Sequence, residues 1–230
     1  MAELAGRMDW EGIVGKEAAK LLRAQMGQIL EVLGDPPDIS NVPMTFWDDV
    51  GLEAQAAMSR HFRDIYVASA EQVLAAQPIG VDWGLINQRA ITWADSYSFD
   101  LVQGINQTSR DTVARAVSAF FEEGQTIGDL RAALSHTFGP VRAEMIGTTE
   151  VTRSAVQGER AFIAELEKMG IAFKKFWVTS QDERVCPICS PLHERPSEEW
   201  ISEFPTGPPA HPRCRCSEAH EFASAGGRIG

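Results

Sequence analysis

The sequence predicts a mainly α-helical protein, in which a helical body is followed by a small α+β module that a zinc ion staples together. Three observations predict this class. Apolar residues recur at three- to four-residue spacing through the first 171 residues, which is the period of helices with one buried face. An aromatic and β-branched run replaces that pattern after Ile171. All four cysteines then follow between Cys186 and Cys216.

Six helices are predicted in the body, and residues that begin or end helices separate them. Glycine and proline after Leu33 end the first helix, and Pro43 opens the second. Asp82 and Thr126 are N-caps for the third and fifth helices, and Gly170 is the C-cap of the sixth. The predicted helices span residues 14–33, 45–76, 83–107, 108–122, 126–138 and 141–169.

The C-terminal part of the chain combines one predicted strand with a proline-rich loop. Residues 172–180 are rich in aromatic and β-branched side chains, which is typical of a strand. Asp182 lies in the following turn, where we expect its carboxylate to accept from a backbone amide. Seven prolines between Pro187 and Pro212 prevent long helices. The rest of this segment is therefore predicted to be a loop organised by a metal ion, with short strands at most.

Five residues in that loop have the spacing of a structural zinc site. Cys186-Pro-Ile-Cys189 supplies two soft ligands from one tight turn, and His211-Pro-Arg-Cys214-Arg-Cys216 supplies the others. A closed site with several thiolates is typically structural, because catalytic zinc keeps one position for water. Tetrahedral zinc has four positions. Cys186, Cys189 and His211 fit three of them, and Cys214 and Cys216 compete for the fourth. The His211-x-x-Cys214 spacing favours Cys214, but Cys216 could replace either His211 or Cys214.

Two other interpretations of the cysteines remain open at this point. Paired disulfides would require an oxidising compartment, and the acidic N-terminus has no apolar segment of the kind found in secretory signals. Redox catalysis by the Cys-x-x-Cys motif is disfavoured because no βαβ pattern surrounds it. His193 and His220 are interpreted as polar residues beside the site rather than as ligands.

The chain lacks the sequence signatures of zinc enzymes. No His-x-Glu precedes Cys186, as it does in zinc deaminases. Neither His193 nor His220 begins a His-Glu-x-x-His motif, which zinc peptidases require. We therefore predict no catalytic residues and no enzymatic activity, and we interpret Zn²⁺ as a structural cofactor of a small module.

The net charge of −11 is unevenly distributed along the chain. Residues 1–171 hold 14 basic and 24 acidic side chains, whereas residues 172–230 hold 7 and 8. Affinity for duplex DNA comes from Lys and Arg on phosphate, so an acidic body argues against non-specific DNA binding. It favours a protein partner with basic patches. No apolar stretch approaches the length of a membrane span, and no membrane partner is expected.

Four segments in the second half of the chain carry a resemblance to a known family. Residues 142–150 end in a Thr-Glu pair on a helix, and residues 177–180 read Trp-Val-Thr-Ser. Residues 182–189 read Asp-Glu-Arg-Val-Cys-Pro-Ile-Cys, and residues 208–216 read Pro-Pro-Ala-His-Pro-Arg-Cys-Arg-Cys. In this order they resemble the Mu-F-like phage head morphogenesis family over about residues 108–217. The family usually carries Ala-Arg-Thr-Glu where this chain has Gly-Thr-Thr-Glu, so one basic residue is missing.

The resemblance implies a structural minor head (capsid) protein of a tailed phage. Its implied partners are the portal protein and other capsid components, in several copies per virion, with a role in genome packaging or ejection that brings viral DNA within reach. The implied location is the virion head near the portal, and the host cytoplasm during assembly. The predicted domains are an N-terminal helical region (1–107), the helical part of the Mu-F-like domain (108–171), the zinc-binding strand and loop module (172–222) and a mobile tail (223–230).

Two alternative functions stay open. An ADP-ribosyltransferase-like effector or a zinc hydrolase would need a catalytic carboxylate such as Glu150, although the structural expectation is an i,i+3 pair between Glu150 and Arg153. A nucleic-acid-binding zinc module would need its basic side chains on one face, namely Lys174, Lys175, Arg184, Arg213 and Arg215. The last two arginines would otherwise offset the negative charge of thiolates on zinc. Trp177 is expected to pack over the zinc loop or against the last helix.

Overall fold

A computed structural model describes residues 4–76 and 81–223 of the chain. Counted over these residues, five α-helices precede one antiparallel pair of strands, and the predicted fold class is confirmed. The helices are α1 (Arg7–Leu33), α2 (Met44–Ala76), α3 (Trp83–Glu122), α4 (Ile127–Thr137) and α5 (Pro140–Lys168). The strands are β1 (Phe173–Val178) and β2 (Ser217–Phe222). Short 3₁₀ turns occur at Ile39–Asn41, Ser190–Leu192 and Ser197–Glu199.

The predicted caps hold the helix ends. Asp82 Oδ1 accepts from the backbone N–H of Gly84 at 2.8 Å, which satisfies a donor at the start of α3. Thr126 and Asp129 form a reciprocal capping box at the start of α4. Gly170 has φ +90° just after α5, a left-handed conformation that glycine adopts without steric cost.

Two predicted helix boundaries were wrong. The prediction placed a break between residues 107 and 108, but α3 continues through it to Glu122. The hydroxyls of Thr108 and Ser109 donate back to the carbonyls of Gly104 and Ile105, each at 2.9 Å, and so they fit inside the helix instead of capping a new one. Similarly, α1 begins at Arg7, seven residues before the predicted start.

The described residues fall into two compact units. One contains Asp9–Phe62 and Ile91–Gly147 and is entirely helical apart from its connections. Its core is apolar, and at the edge of that core the part-buried Asn106 accepts from Gln25 Nε2 and donates to the Trp47 carbonyl, both at 2.9 Å. The other unit contains residues 4–8, 63–76, 81–90 and 148–223 of the described chain, and it includes both strands.

The two strands pair over their whole length, from Phe173 opposite Phe222 to Val178 opposite Ser217. A third segment extends the sheet on the other side of β1. Trp177 donates its N–H to the Arg195 carbonyl at 3.0 Å and accepts from the Glu194 N–H at 2.7 Å. The sequence did not predict β2 as a strand, because four of its six side chains are polar.

The predicted domain boundaries stay predictions, and residues 224–230 of the predicted tail lie outside the described residues. No helix within the described ranges combines the length and the apolar character needed to cross a bilayer.

Candidate metal centre

The five predicted ligands come together in one place. Cys186, Cys189 and His211 form a group whose ligand atoms all lie within 4.8 Å of one another. Cys189, Cys214 and Cys216 form a second such group. Cys189 belongs to both groups, so the side chains are one cluster around its sulfur. The structure therefore places here a set of soft ligands that could hold a metal ion, and zinc is the ion that this donor set suits.

The first turn of the cluster is shaped by hydrogen bonds to Cys186. Its Sγ accepts from the backbone N–H of Cys189 at 3.3 Å, and its carbonyl accepts from the N–H of Ser190 at 2.9 Å. Burial tends to raise the pKa of the Cys186 thiol, but the amide donors of Cys189 and Ile188 more than offset it and the pKa is lowered. This turn thus favours the thiolate, which is the form that binds metals.

The imidazole of His211 is oriented for ligation. Its Nδ1 lies 2.8 Å from the carbonyl oxygen of Pro212. A carbonyl can only accept, so Nδ1 carries the proton and the lone pair of the neutral ring is on Nε2. That atom lies 2.9 Å from Cys186 Sγ and 3.3 Å from Cys189 Sγ. A backbone carbonyl that fixes the tautomer of a histidine in this way is the usual support of a metal-binding imidazole.

The second cysteine pair approaches from the other side of Cys189. The Sγ atoms of Cys189 and Cys214 are 3.7 Å apart. Two thiolates on one tetrahedral zinc, each about 2.3 Å from the ion, would be about 3.8 Å apart. Without a cation, the hydrogen bond between them raises the pKa of the Cys189 thiol and lowers that of Cys214. The spacing matches a shared metal, and the pair already favours one thiolate.

Two tryptophans complete the core of the C-terminal module, which is defined as residues 172–222. Trp177 packs edge-on against Trp200 with ring centroids 5.3 Å apart, and both are fully buried with three of the cysteines. Trp200 Nε1 donates to the Arg195 carbonyl at 3.0 Å. The expectation that Trp177 packs over the zinc loop is confirmed. Because this core is made of the cysteines themselves, metal ligation and folding of the module are linked.

Helix α5 supports the second ligand turn through two threonines. Thr149 Oγ1 accepts from the N–H of Arg213 at 2.8 Å, and Thr152 Oγ1 donates to the Cys214 carbonyl at 2.8 Å. Arg7 donates to the same Thr152 hydroxyl, and also to the Arg215 carbonyl at 2.8 Å. The sequence analysis missed Arg7 and Thr152. Only the Thr-Glu pair at 149–150 gave any signal on this helix, because contacts over such sequence distances leave no local pattern.

Partly buried ion pairs connect the remaining parts of the module. Arg215 donates to the carboxylate of Asp182, which also accepts from the Arg184 N–H at 3.1 Å, as expected for its turn. The Arg215 side chain holds the pKa of Asp182 down at about 2. On β2, Glu218 accepts from Arg160 Nε through both oxygens, at 2.9 and 3.0 Å. The pair on Asp182 joins the turn before Cys186 to the segment between Cys214 and Cys216.

The other singled-out residues lie outside the ligand cluster. His193 Nδ1 accepts from the Thr179 N–H at 3.1 Å, and His220 is buried with Nε2 3.5 Å from Glu218. Neither histidine belongs to the ligand groups found among the described residues. Glu150 is buried, and its carboxylate lies 3.6 Å from Arg153, which confirms the expected i,i+3 pair.

The basic residues of the module do not form one surface. Lys174 and Lys175 are neighbours on β1 and so point to opposite faces of the sheet. Lys175 lies 3.5 Å from Glu167, and Arg184 and Arg215 both face Asp182. Charges that are neutralised within the protein contribute little to phosphate binding. The geometry therefore gives no support to a nucleic-acid interface at this site.

A comparison with protein families gave a match in the second half of the chain. Residues 109–219 match the family described as phage Mu protein F like protein. Comparisons with curated proteins and with solved structures gave no significant match. The matched region contains all five candidate ligands, α5, β1 and the first three residues of β2. Residues 109–219, which are just under half of the chain, are therefore similar to the phage Mu protein F-like family, as the sequence motifs indicated.

Proposed function

We propose that the chain is a structural, non-enzymatic minor head protein of a tailed phage, and that its C-terminal module folds around a structural Zn²⁺. The observation that carries the proposal is the position of the ligand cluster. It lies inside the region that matches the Mu F-like family, and its sulfurs form the core of the module. In this proposal the metal stabilises the folded shape of the module and takes part in no reaction.

The proposed ligands are Cys186, Cys189, His211 and Cys214. Their contacts, from 2.9 to 3.7 Å, are close to the separations of ligand atoms around one tetrahedral ion. Cys216 is the residue left over. The Cys189 thiol tends to lower the pKa of the Cys216 thiol, but the Cys214 thiol and burial outweigh it and raise that pKa to about 12. The thiolate that a metal needs is therefore disfavoured at Cys216. When bound, zinc would cross-link the two ligand turns and so supply folding free energy to the module.

The ligand set is tested by metal analysis of protein purified without added zinc. We expect about one zinc per chain, and we expect Cys186→Ser, Cys189→Ser and Cys214→Ser to lose it. Cys216→Ser should retain the metal, because its sulfur is outside the proposed set. Loss of zinc in Cys216→Ser with retention in Cys214→Ser would reverse the choice between these two cysteines. Free or pairwise oxidised sulfurs without metal would overturn the zinc proposal.

The proposed partners are the portal protein and other components of the capsid. A portal presents repeated copies of one surface, so several copies of this chain would bind one ring. The proposed location is the head near the portal, reached from the host cytoplasm during assembly. Participation in genome packaging or ejection follows from that location. The acidic surface suits a protein partner with basic patches.

The proposed function is tested in phage particles. We expect the chain to co-purify with heads and to be absent from tails, and we expect its deletion to block or impair head assembly. Heads of normal yield, composition and infectivity in the deletion mutant would contradict the proposal. The alternative function, nucleic-acid binding, is tested by measuring the affinity of the isolated protein for DNA. An affinity that falls steeply with salt would support a nucleic-acid role, and no binding at low salt would exclude that role.

A further inference from the structure

A groove on the helical unit lies far along the chain from the metal cluster and has no role in the proposed zinc chemistry. It is bounded by the first third of α2 and the middle of α3, and it encloses about 660 Å³. Its floor contains the buried side chains of Trp47 and Val102. Gly51 and Gly104 also border it. Gly104 leaves open space in the groove, since a Cβ there would meet no atom within 4 Å, whereas Gly51 packs closely against Asn106.

The walls of the groove expose large apolar side chains. Met44 and Leu52 on α2 are 56% and 65% exposed, and Phe99 on α3 is 48% exposed. Three such side chains around one depression form a contiguous apolar surface, whereas single exposed apolar residues are ordinary. The part-buried amide of Asn106, which also lines the groove, already bonds to Gln25 and to the Trp47 carbonyl. The groove therefore offers apolar contact rather than a polar binding site.

The length of the groove fits a short helix. From Phe99 to Arg110, α3 advances about 16 Å at 1.5 Å per residue, which is about three helical turns. An amphipathic helix of that length presents apolar side chains at i, i+3 or i+4, and i+7. When such a helix binds in a groove, the side chains at these positions insert into it and anchor the helix. The open space at Gly104 gives room for such anchors to enter.

Acidic residues around the groove favour a bound helix that has basic residues at its ends. Asp48 and Asp100 line it, Asp49 and Glu53 are exposed on the same stretch of α2, and Arg110 is the basic residue among its lining side chains. Among the described residues, neither Asp48 nor Asp100 has an ion-pair partner. The unit that carries the groove holds 8 basic and 16 acidic side chains. A ligand with basic flanks is therefore favoured, both in approach and when docked.

We propose that this groove is a docking site for a basic amphipathic helix of another head protein. A second copy of this chain is the less suitable occupant, because two surfaces of net negative charge would repel each other. The inference depends on the proposed function only for the source of the helix. The groove and its preference for basic flanks stand on the residues that line it.

A glycine substitution can fill the groove without disturbing the fold. Gly104→Leu places a side chain into open space, and it replaces a glycine within a helix by a better helix former. Gly12→Leu is the matched control. Gly12 also lies within a helix, its Cβ would likewise meet nothing within 4 Å, and it does not line the groove. Asp100→Lys, at an exposed position, is a second variant that changes charge rather than shape.

The binding test uses labelled synthetic helices of about 18 residues, or five turns, with leucine on one face. One peptide carries lysine flanks and the other carries glutamate flanks on the same apolar face. Fluorescence anisotropy should show that the wild type and Gly12→Leu bind the lysine peptide alike, while Gly104→Leu binds it at least about tenfold more weakly. Asp100→Lys should weaken the lysine peptide and strengthen the glutamate peptide. Equal binding of the lysine peptide by Gly104→Leu and the wild type would overturn the proposal.

Incorporation into heads separates this inference from the proposed function. We expect Gly12→Leu to be incorporated like the wild type and Gly104→Leu to be depleted from heads at least about fivefold. Full incorporation of Gly104→Leu would refute the docking site and leave the proposed function intact. Absence of the wild type from heads would refute the proposed function. Self-association of the purified wild type that Gly104→Leu abolishes would assign the groove to a second copy, and so would contradict a basic partner.

Discussion

The carboxylate of Asp182 accepts a hydrogen bond from the guanidinium of Arg215, and this contact joins the two halves of the candidate metal centre. Asp182 lies four residues before Cys186, while Arg215 lies between Cys214 and Cys216. The side chain of Arg215 is only 15% exposed and that of Asp182 28%, so the pair is partly shielded from water. It fixes the relative position of the two ligand turns, and it places a positive charge beside the thiolates.

Loss of the Asp182–Arg215 contact should weaken metal binding. Arg215→Met retains most of the aliphatic stem but removes the donor and the charge, and we expect zinc affinity to fall about tenfold, as is typical when groups that support metal ligands are removed. Asp182→Asn should have a smaller effect, because its amide oxygen can still accept from the Arg184 N–H. Competition with a chromophoric chelator measures the affinity. Arg195→Met is the control, since its pair with Glu199 is exposed at both ends, and an equal loss in that variant would contradict a specific role for Arg215.

Chelation should unfold the C-terminal module and leave most of the helices intact. The aromatic pair of Trp177 and Trp200 shares its core with Cys189, Cys214 and Cys216. Removal of the metal therefore exposes thiolates to one another within that core, and it should release the tryptophans. We expect the near-ultraviolet circular dichroism contributed by Trp177 and Trp200 to be lost. The contribution of the four tryptophans on α1, α2 and α3 and the far-ultraviolet helical signal should be largely retained. A complete loss of the helical signal would show that the helices depend on the metal as well.

The sequence predicted those features that depend on local chemistry. Asp82, Thr126 and Gly170 bond or turn within a few residues of their own position, and the structure places each as expected. The ligand cluster could also be predicted, because metal chemistry restricts which residue types and spacings suffice. The continuation of α3 through Thr108 could not be, since hydroxyls serve equally as caps and as side chains bonded back to the previous turn.

Features that depend on distant residues escaped prediction. Strand β2 has a polar sequence, and Glu218 is buried there only because Arg160, 58 residues earlier, neutralises it. The support of Cys214 by Thr152 and Arg7 likewise spans 62 and more than 200 positions of sequence. No local pattern encodes such contacts. They become visible only when the fold brings the partners together.

The stability of the protein should depend on pH through Glu159. Burial raises the pKa of this carboxyl from 4.5 to about 8, and the nearby charge of Glu218 adds to the effect. The folded state therefore holds a proton that the unfolded state releases above pH 4.5. The free energy of unfolding should fall as the pH rises from about 4.5 to 8, by at most about 1.4 kcal/mol per pH unit, and then level off.

Glu159→Gln removes this cost, because an amide stays neutral. We expect its melting temperature to exceed that of the wild type at pH 8 and the difference to shrink as the pH falls toward 5. Glu203→Gln, at an exposed position, should follow the wild type at every pH. Thermal melts from pH 5 to 8.5 provide the measurement. A constant difference between Glu159→Gln and the wild type over this range would show that the carboxyl titrates normally.

Gly158 should be among the positions least tolerant of a side chain. It lies on α5, and a Cβ built there would come within 2.1 Å of the Tyr66 carbonyl oxygen on α2. The obstacle is backbone, so the two helices would have to move apart. We expect Gly158→Ala to destabilise the protein by about 2 kcal/mol or more, because overpacked sites with rigid neighbours relax poorly.

Gly12→Ala is the matched test of that argument. Both glycines lie within helices, so alanine gains about 1 kcal/mol of helix propensity at either position. At Gly12 no atom lies within 4 Å of the added Cβ, and the gain should appear as greater stability. At Gly158 the clash should exceed the gain. Urea unfolding of both variants measures whether each substitution raises or lowers the free energy of unfolding. Stabilisation by Gly158→Ala would mean that α2 and α5 do not approach each other as closely as Tyr66 and Gly158 indicate.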